Sequence, residues 1–310
     1  MLKLAAVVGP TAVGKTELSI GLAQKLGGEI ISCDSMQVYQ GMDIGTAKAS
    51  PAERQMITHH GIDIVEPSMN FTVADYQKLA KQEILNITER GHIPILVGGT
   101  GLYYQSVVDN YDFFPMESLQ TVRCKWEQIY TEKGLEYLYE QILRVDREYA
   151  LKIGANDKKR IIRALEVYDL TGQPFSSIQN KNRDTYHLSS VGLYLDRAEL
   201  YARIEQRVDR MIKEGLIEEV ADLRERGYDL SMNSLQALGY KQVYNYLEGM
   251  LTYEGMVNEI KKETRNYAKR QYTWFNKDKR ISWLNLADYS NPDLLLEKIC
   301  GLMEGQLLRV

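Results

Sequence analysis

The chain has 310 residues, a length that suits about two domains or one large α/β domain carrying an insertion. Hydrophobic residues make up 44% and charged residues 26%, which excludes a disordered, collagenous or coiled-coil chain. Lys and Arg number 38 against 42 Asp and Glu, a net charge of −4; a uniformly basic nucleic-acid coat protein is excluded, a local basic surface is not.

Leu2–Val8 is a short apolar run ending at Gly-Pro, which predicts a buried parallel strand. It runs directly into GPTAVGKT without a cleavage site, so a signal peptide is not expected. Helical spacing follows from Glu17 to Leu26, closed by Gly27-Gly28, and Glu29–Ser32 is a second strand leading into Cys33-Asp34-Ser35. A helix is predicted from Thr72, its cap, to Arg90, and a third strand from His92 to Val97 enters Gly98-Gly99-Thr100-Gly101. Alternation of this kind predicts a parallel sheet with helices on its faces.

Beyond Asn110 the pattern changes: 117–172 read as helices, 191–195 return to a strand, and a long helix starts near Glu199. The expected organisation is an α/β core of residues 1–112 and 190–310, with a helical C-terminal part, interrupted by a helical insertion at 113–189. Pro174, Ser176-Ser177 and the polar stretch 179–185 mark the return. Three cysteines, Cys33, Cys124 and Cys300, have no CxxC spacing, which argues against a disulfide framework or zinc ribbon and for a reducing cytoplasm. No apolar run approaches the roughly 20 residues of a membrane span.

Gly9-Pro10-Thr11-Ala12-Val13-Gly14-Lys15-Thr16 matches GxxxxGK[ST] between a predicted strand and a predicted helix, the setting that this motif requires. Loop amides and the helix N-terminus would cradle a phosphate pair, Lys15 would neutralise it, and the Thr16 hydroxyl would help place Mg²⁺. The fold class is therefore α/β with a P-loop NTPase-like parallel core. The motif specifies pyrophosphate, not ATP. Phosphoryl-transfer enzymes of this class place an acidic residue at the end of a further strand, but the third strand ends in ILVGGTG. Asp34 instead ends the second strand, and both ends face the same sheet edge. Asp34 is open to three roles: metal ligand, general base, or cap of the following turn. The glycines around Thr100 would allow close backbone approach at that same edge.

Arg203, Arg207 and Arg210 share one face of a helix, opposite Leu200, Ile204, Val208 and Met211. Such a row is either a solvated face or the source of a clamp for a departing phosphate or pyrophosphate. Two tracts are basic. Residues 152–163 carry Lys152, Lys158, Lys159, Arg160 and Arg163 against Asp157, and 261–280 carry eight Lys or Arg against Glu263 and Asp278. The second tract interleaves Tyr267, Tyr272, Trp274 and Phe275, with rings expected partly inward and cations outward. Both tracts fit a polyanion met at defined places, or solvated helix faces.

Taken in order, GPTAVGKT, DSMQVYQGMDIGTAK (34–48), HHGID (59–63), VGGTGLY (97–103), RALEVY (163–168), TGQP (171–174), YARIEQRVDRM (201–211), ALGYKQ (237–242) and TRNYAKRQYTWF (264–275) resemble the tRNA dimethylallyltransferases, or tRNA isopentenyltransferases, of the bacterial type. The resemblance covers essentially the whole chain. It implies a prenyltransferase that moves a dimethylallyl group from dimethylallyl diphosphate to N6 of adenosine 37, immediately 3′ to the anticodon. The adenine would be flipped out of the anticodon stem-loop and the diphosphate would occupy the phosphate loop with Mg²⁺. It further implies Asp34 as the base, Thr100 as a positioning residue, and Lys15, Thr16 and Arg203 as holders of the diphosphate. Asp34, Ser35, Met36, Gln37, Thr100, Arg123 and the run Lys159, Arg160, Ile161, Ile162 and Arg163 would meet tRNA; where the family usually has Gln-Arg, this chain reads Lys159-Arg160. A cytoplasmic monomer without a membrane partner is expected. The rivals are a P-loop kinase for a small substrate, an adenylate isopentenyltransferase, and a non-catalytic RNA-binding P-loop protein. The first leaves the insertion and basic tracts unexplained, and the second needs no tRNA surface.

Overall fold

A computed structural model describes residues 1–113, 119–178 and 185–307. The opening apolar run forms β1 (Leu2–Val8). Its residues from Leu4 onward are wholly buried: Leu4, Ala6 and Val8 on one face, Ala5 and Val7 on the other. An uninterrupted apolar run is what a strand covered by helices on both faces requires. With β2 (Gly28–Cys33), β3 (His59–His60), β4 (Ile93–Gly98), β5 (Tyr186–Tyr194) and β6 (Ile281–Asn285) it builds a parallel sheet of order β3-β2-β4-β1-β5-β6. Val8 lies opposite both Gly98 and Gly192, and Cys33 opposite Gly98. The loops leaving β1, β2 and β4 therefore open on one edge.

In chain order the helices are α1 (Lys15–Leu26), α2 (Pro51–Met56), α3 (Val73–Glu89), α4 (Gly101–Val108), α5 (Leu119–Val145), α6 (Arg147–Ile153) and α7 (Lys158–Thr171). They continue with α8 (Phe175–Ile178), α9 (Arg197–Lys213), α10 (Leu216–Glu225), α11 (Tyr240–Leu247), α12 (Tyr253–Phe275) and α13 (Pro292–Leu307). The chain divides into two units, Met1–Val108 with Asp184–Val310, and Asp109–Arg183. No helix among the described residues is long and apolar enough to cross a membrane.

In the first unit α1, α9 and α13 cover one face of the sheet through Ile20, Leu22, Leu200, Ile204, Ile299 and Met303. The other face is covered by α3 and α4 through Tyr76, Ala80, Ile84, Tyr104 and Val107. Thr72 opens α3 with a reciprocal cap: its hydroxyl accepts the Asp75 amide at 3.2 Å and the Asp75 carboxylate accepts the Thr72 amide at 2.9 Å. A third cluster joins the far ends of α9 and α12 to α10 and α11 around Val208, Leu216, Val220, Tyr240 and Ile260.

The second unit is helical. Trp126, Leu138, Ile142, Ile161, Ile162 and Leu165 form its core, and α5 breaks at Gly134, whose φ of 79° is left-handed. Asp146 caps α6 at the Tyr149 amide (3.0 Å) and also accepts the Ser176 amide (2.7 Å).

Two expectations change. The strand predicted at 191–195 begins at Tyr186, because β5 pairs with β1 from Leu2 onward, so 186–189 belong to the core rather than to the insertion. The C-terminal part is not purely helical, since Ile281–Asn285 adds β6 at the sheet edge; five residues directly after a basic tract give too short an alternation to read. The polar stretch 179–185 lies outside the described residues, apart from Thr185.

Candidate active site

The phosphate loop leaves β1 at Gly9 and enters α1 at Lys15. Gly14, at φ 98°, begins the helix with no side-chain cap, which leaves the first-turn amides to an external acceptor. Val13 is buried in the core and anchors the loop. The Lys15 ammonium donates to the carbonyls of Gly9 (3.0 Å) and Pro10 (2.7 Å). Burial, with Arg207 nearby adding to it, pulls the Lys15 pKa down to about 7, against the opposing pull of Asp34.

A cavity of about 570 Å³ opens beside this loop within the first unit. Thr11, Ala12, Gly14, Lys15 and Thr16 line it from the loop, and Asp34, Ser35, Met36 and Gln37 from the end of β2. Gly98 comes from the end of β4 and Gly99 from the turn after it, Arg207 from α9, and Tyr267, Arg270 and Gln271 from α12. One stretch is apolar, with Val208, Met211, Ala237, Leu238 and Ile260. Sheet register explains the convergence of loops that are distant in sequence.

Asp34 realises the turn-cap reading, its Oδ1 accepting the Met36 amide at 2.9 Å. It is also close enough to Lys15 and Arg207 to oppose the fall in pKa that burial imposes on both, so a cap and a cavity wall coexist in one side chain. Thr100 is not among the cavity-lining residues. Its hydroxyl accepts the Ser35 amide at 3.0 Å and its own amide donates to the Cys33 carbonyl at 3.1 Å. Gln37 is taken up structurally: Oε1 accepts the Ser32 hydroxyl at 2.7 Å and Nε2 donates to Thr46 and Ala47.

The segment after Asp34 is moored by Glu219 of α10. Its carboxylate accepts the amides of Asp43, Ile44 and Gly45 at 2.9, 2.7 and 3.2 Å, and the Tyr240 hydroxyl at 2.5 Å. Lys48, almost wholly buried, donates to Tyr39 at 2.6 Å and pairs with Asp43 and Asp63.

Arg203 and Arg207 stand differently on α9. Arg203 pairs with Glu199 at 2.9 Å on a half-exposed face of α9 and does not line the cavity. One turn later Arg207 does, and burial lowers its pKa against the attraction of Asp34. The two residues are four apart, about 6 Å along the helix axis, and of the two only Arg207 lines the cavity.

In the helical unit Arg160, Arg163 and Lys158 lie on α7 and Arg123 on α5, each within an ion pair: Arg160 with Asp157 (3.4 Å), Lys158 with Glu127 (2.6 Å), and Arg123 and Arg163 with Glu166 (3.8 and 3.4 Å). Glu166 is buried, and desolvation raises its pKa. Lys159 is exposed on α7. Within that run Ile161 and Ile162 are core residues, 0% and 1% exposed, so the surface side chains of the run are those of Lys159, Arg160 and Arg163. The place of the two isoleucines in the motif reflects packing of α7 against α5.

The 261–280 tract is partly neutralised within the fold, Lys261 pairing with Asp209 (2.6 Å), Arg265 with Glu205 (2.8 Å) and Arg280 with Asp278 (2.6 Å). Phe275 is buried, Tyr267, Tyr272 and Trp274 half-buried, and Lys269 and Arg270 exposed. The rings turn inward and the cations outward, as expected of this tract. Arg207, Arg270 and Gln271 as cavity residues were visible in sequence only as members of a basic row and a basic-aromatic tract.

A Mg²⁺ ion fits this chain only in a particular way. Among the described residues no three His, Cys, Asp or Glu side chains converge to hold a metal, whereas the Thr16 side chain belongs to a residue lining the cavity at the start of α1. The residues fit an ion held by Thr16 and by the oxygens of a diphosphate.

The chain is similar to known proteins over nearly its whole length. The family described as IPP transferase matches residues 37–278. A tRNA dimethylallyltransferase of Syntrophomonas wolfei is 62% identical over 306 residues, covering 99% of each chain. The crystal structure of the full-length tRNA isopentenylpyrophosphate transferase of Bacillus halodurans superposes with a TM-score of 0.76 at 42% identity, covering 99% of this chain and 97% of that one. A eukaryotic dimethylallyltransferase acting on tRNA gives a TM-score of 0.78 at 31% identity, over 92% of this chain and 74% of that one.

Proposed function

The chain belongs to the IPP transferase family of prenyltransferases, and from that premise we propose that it transfers the dimethylallyl group of dimethylallyl diphosphate to N6 of adenosine 37 in tRNA. The products are N6-isopentenyladenosine and diphosphate. The observation that carries this reading is the shared cavity: Lys15 and Arg207 offer cations to a leaving diphosphate, and Asp34 offers a carboxylate to the nucleophile.

The chemistry follows from what each group can do. Allylic C1 is electrophilic when its bond to the diphosphate oxygen is polarised, and the first-turn amides of α1, Lys15 and Arg207 stabilise the charge that develops on that oxygen. When bound with the diphosphate, Mg²⁺ supplies further neutralisation of the leaving group through Thr16. The N6 lone pair is delocalised into the adenine ring. As the C1–N6 bond forms and the C1–O bond breaks, the N6 proton passes to the Asp34 carboxylate. The apolar wall of Val208, Met211 and Ile260 suits the branched hydrocarbon. Ser35, and Thr100 through it, position the loop beside Asp34.

On the acceptor side, Asp34 to Gln37 would meet the flipped adenosine, and Arg123, Lys159, Arg160 and Arg163 of the helical unit would hold phosphates of the anticodon stem-loop. One chain carries all of these residues, which fits a monomer, and a free tRNA acceptor fits a cytoplasmic enzyme. The test is incubation of purified protein with labelled dimethylallyl diphosphate, Mg²⁺ and unmodified tRNA, without ATP. Label recovered as N6-isopentenyladenosine after digestion supports the reading. Strict ATP dependence, or phosphorylation of a small substrate instead, overturns it.

A further inference from the structure

We propose that Gln271 is a positioning residue for this reaction: its carboxamide ties the phosphate loop to the glycine turn after β4 and so sets the distance between the donor and acceptor halves of the cavity. The inference rests on the prenyl-transfer reading for what occupies the two halves. The geometry itself does not depend on that reading.

Gln271 lies on α12 and is 5% exposed. Its Oε1 accepts the Thr11 amide at 2.8 Å, and its Nε2 donates to the Gly99 carbonyl at 2.9 Å. Both ends of one side chain are thus used on two loops that are far apart in sequence and leave neighbouring strands. Gly99 explains why a glycine stands there: a Cβ on it would sit 2.1 Å from Gln271 Nε2. Ala12, the next loop residue after Thr11, has a φ of 64°, a conformation disfavoured for any residue carrying a Cβ. The bond to Thr11 helps to hold the loop in it. The Thr11 amide is already bonded, so the amides left for an anion are those that follow it. The Gly99 carbonyl directly precedes Thr100, which in turn fixes Ser35. A buried carboxamide with both ends satisfied is costly to truncate, because each former partner is left without one.

Two substitutions separate a hydrogen-bonding role from simple packing. Gln271→Met keeps length and volume but neither accepts nor donates. Gln271→Glu can play both parts only while its carboxyl is protonated; as a carboxylate it can no longer donate to Gly99 and places a negative charge beside the diphosphate. Binding of inorganic diphosphate is measured by calorimetry for wild type and both variants from about pH 5 to pH 8, with KM for dimethylallyl diphosphate and melting temperature alongside. The expected result is binding weakened roughly tenfold in Gln271→Met, relative to wild type, at every pH. In Gln271→Glu the deficit is at least as large at the alkaline end and closes as pH falls. Wild-type affinity in Gln271→Met overturns the proposal, as do parallel deficits in the two variants at every pH. If Gln271→Met does not fold, the pH profile of Gln271→Glu decides alone. Transfer by the wild type in the same series tests the prenyl-transfer reading separately, since the diphosphate profile reads out whether or not a prenyl group moves.

Discussion

The Lys15 ammonium donates to the Pro10 carbonyl at 2.7 Å, so the cation meant for a ligand is held by the loop that would receive it. Its pKa of about 7 makes the site sensitive to pH near neutrality. An anion seated beside Lys15 favours the charged form, so binding diphosphate takes up a proton when pH exceeds about 7. Affinity for inorganic diphosphate should therefore fall as pH rises above that value, by up to about tenfold per unit. Calorimetry in two buffers of different ionisation enthalpy reads the proton uptake directly. Lys15→Arg should bind with a nearly flat profile over the same range, since a guanidinium stays charged. Without an anion the sign for folding is opposite: the folded pKa lies below the ordinary lysine value of 10.5, so the unfolded chain binds the extra proton between the two values. Stability should rise as pH climbs from about 7 toward 10.5.

Asp34→Asn preserves shape and can still accept from the Met36 amide, but it removes the base. Single-turnover rates should fall by about 10²–10⁴-fold, while dissociation constants for dimethylallyl diphosphate and tRNA change little. Loss of donor binding with an intact rate at saturation would instead make Asp34 a metal ligand.

Arg207 and Arg203 make a paired test on one helix. Arg207→Ala removes a cation from the cavity wall and should weaken donor binding and turnover together, by roughly 10- to 100-fold. Arg203→Ala breaks a half-exposed pair with Glu199 and should alter donor affinity by no more than about twofold. The reverse ranking in a donor titration would return the clamp to Arg203.

Neutralising Lys158, Lys159, Arg160 and Arg163 together should weaken tRNA binding and flatten its salt dependence, by up to about one unit of slope for each phosphate no longer neutralised, leaving donor affinity in place. Ile161→Ala should behave differently. Its side chain is fully buried, so the substitution should remove about 2–5 kcal/mol of stability from the helical unit. Filter binding across a salt series, with thermal denaturation of each variant, separates the two effects.

Much of the core was legible because its signals are local. A short apolar strand, GxxxxGKT and a following amphipathic helix lie in direct succession between Leu2 and Leu26, and each is set by backbone preference and periodicity. Thr72 as a cap and Asp34 at a strand end were readable for the same reason. The helical insertion was visible as a change of period, and the polar stretch 179–185 marked its return, but the start of β5 was not visible. The pairing of Leu2 with Tyr186 draws the start of β5 back beyond what its own pattern suggests, and β6 exists because an edge of the sheet was there to receive it.

The sequence alone determined the phosphate loop, the parallel sheet, the acidic end of β2 and the two basic tracts, since each is written in neighbouring residues. Only tertiary structure decided which arginine of a regular row faces the cavity, that Ile161 and Ile162 belong to a core, and that Gln271 spans from Thr11 to Gly99. Those outcomes depend on how α9, α7 and α12 are rotated against their neighbours. A rotation of one helix is fixed by the sum of its packing against distant segments, and no window of the sequence contains both sides of such an interface.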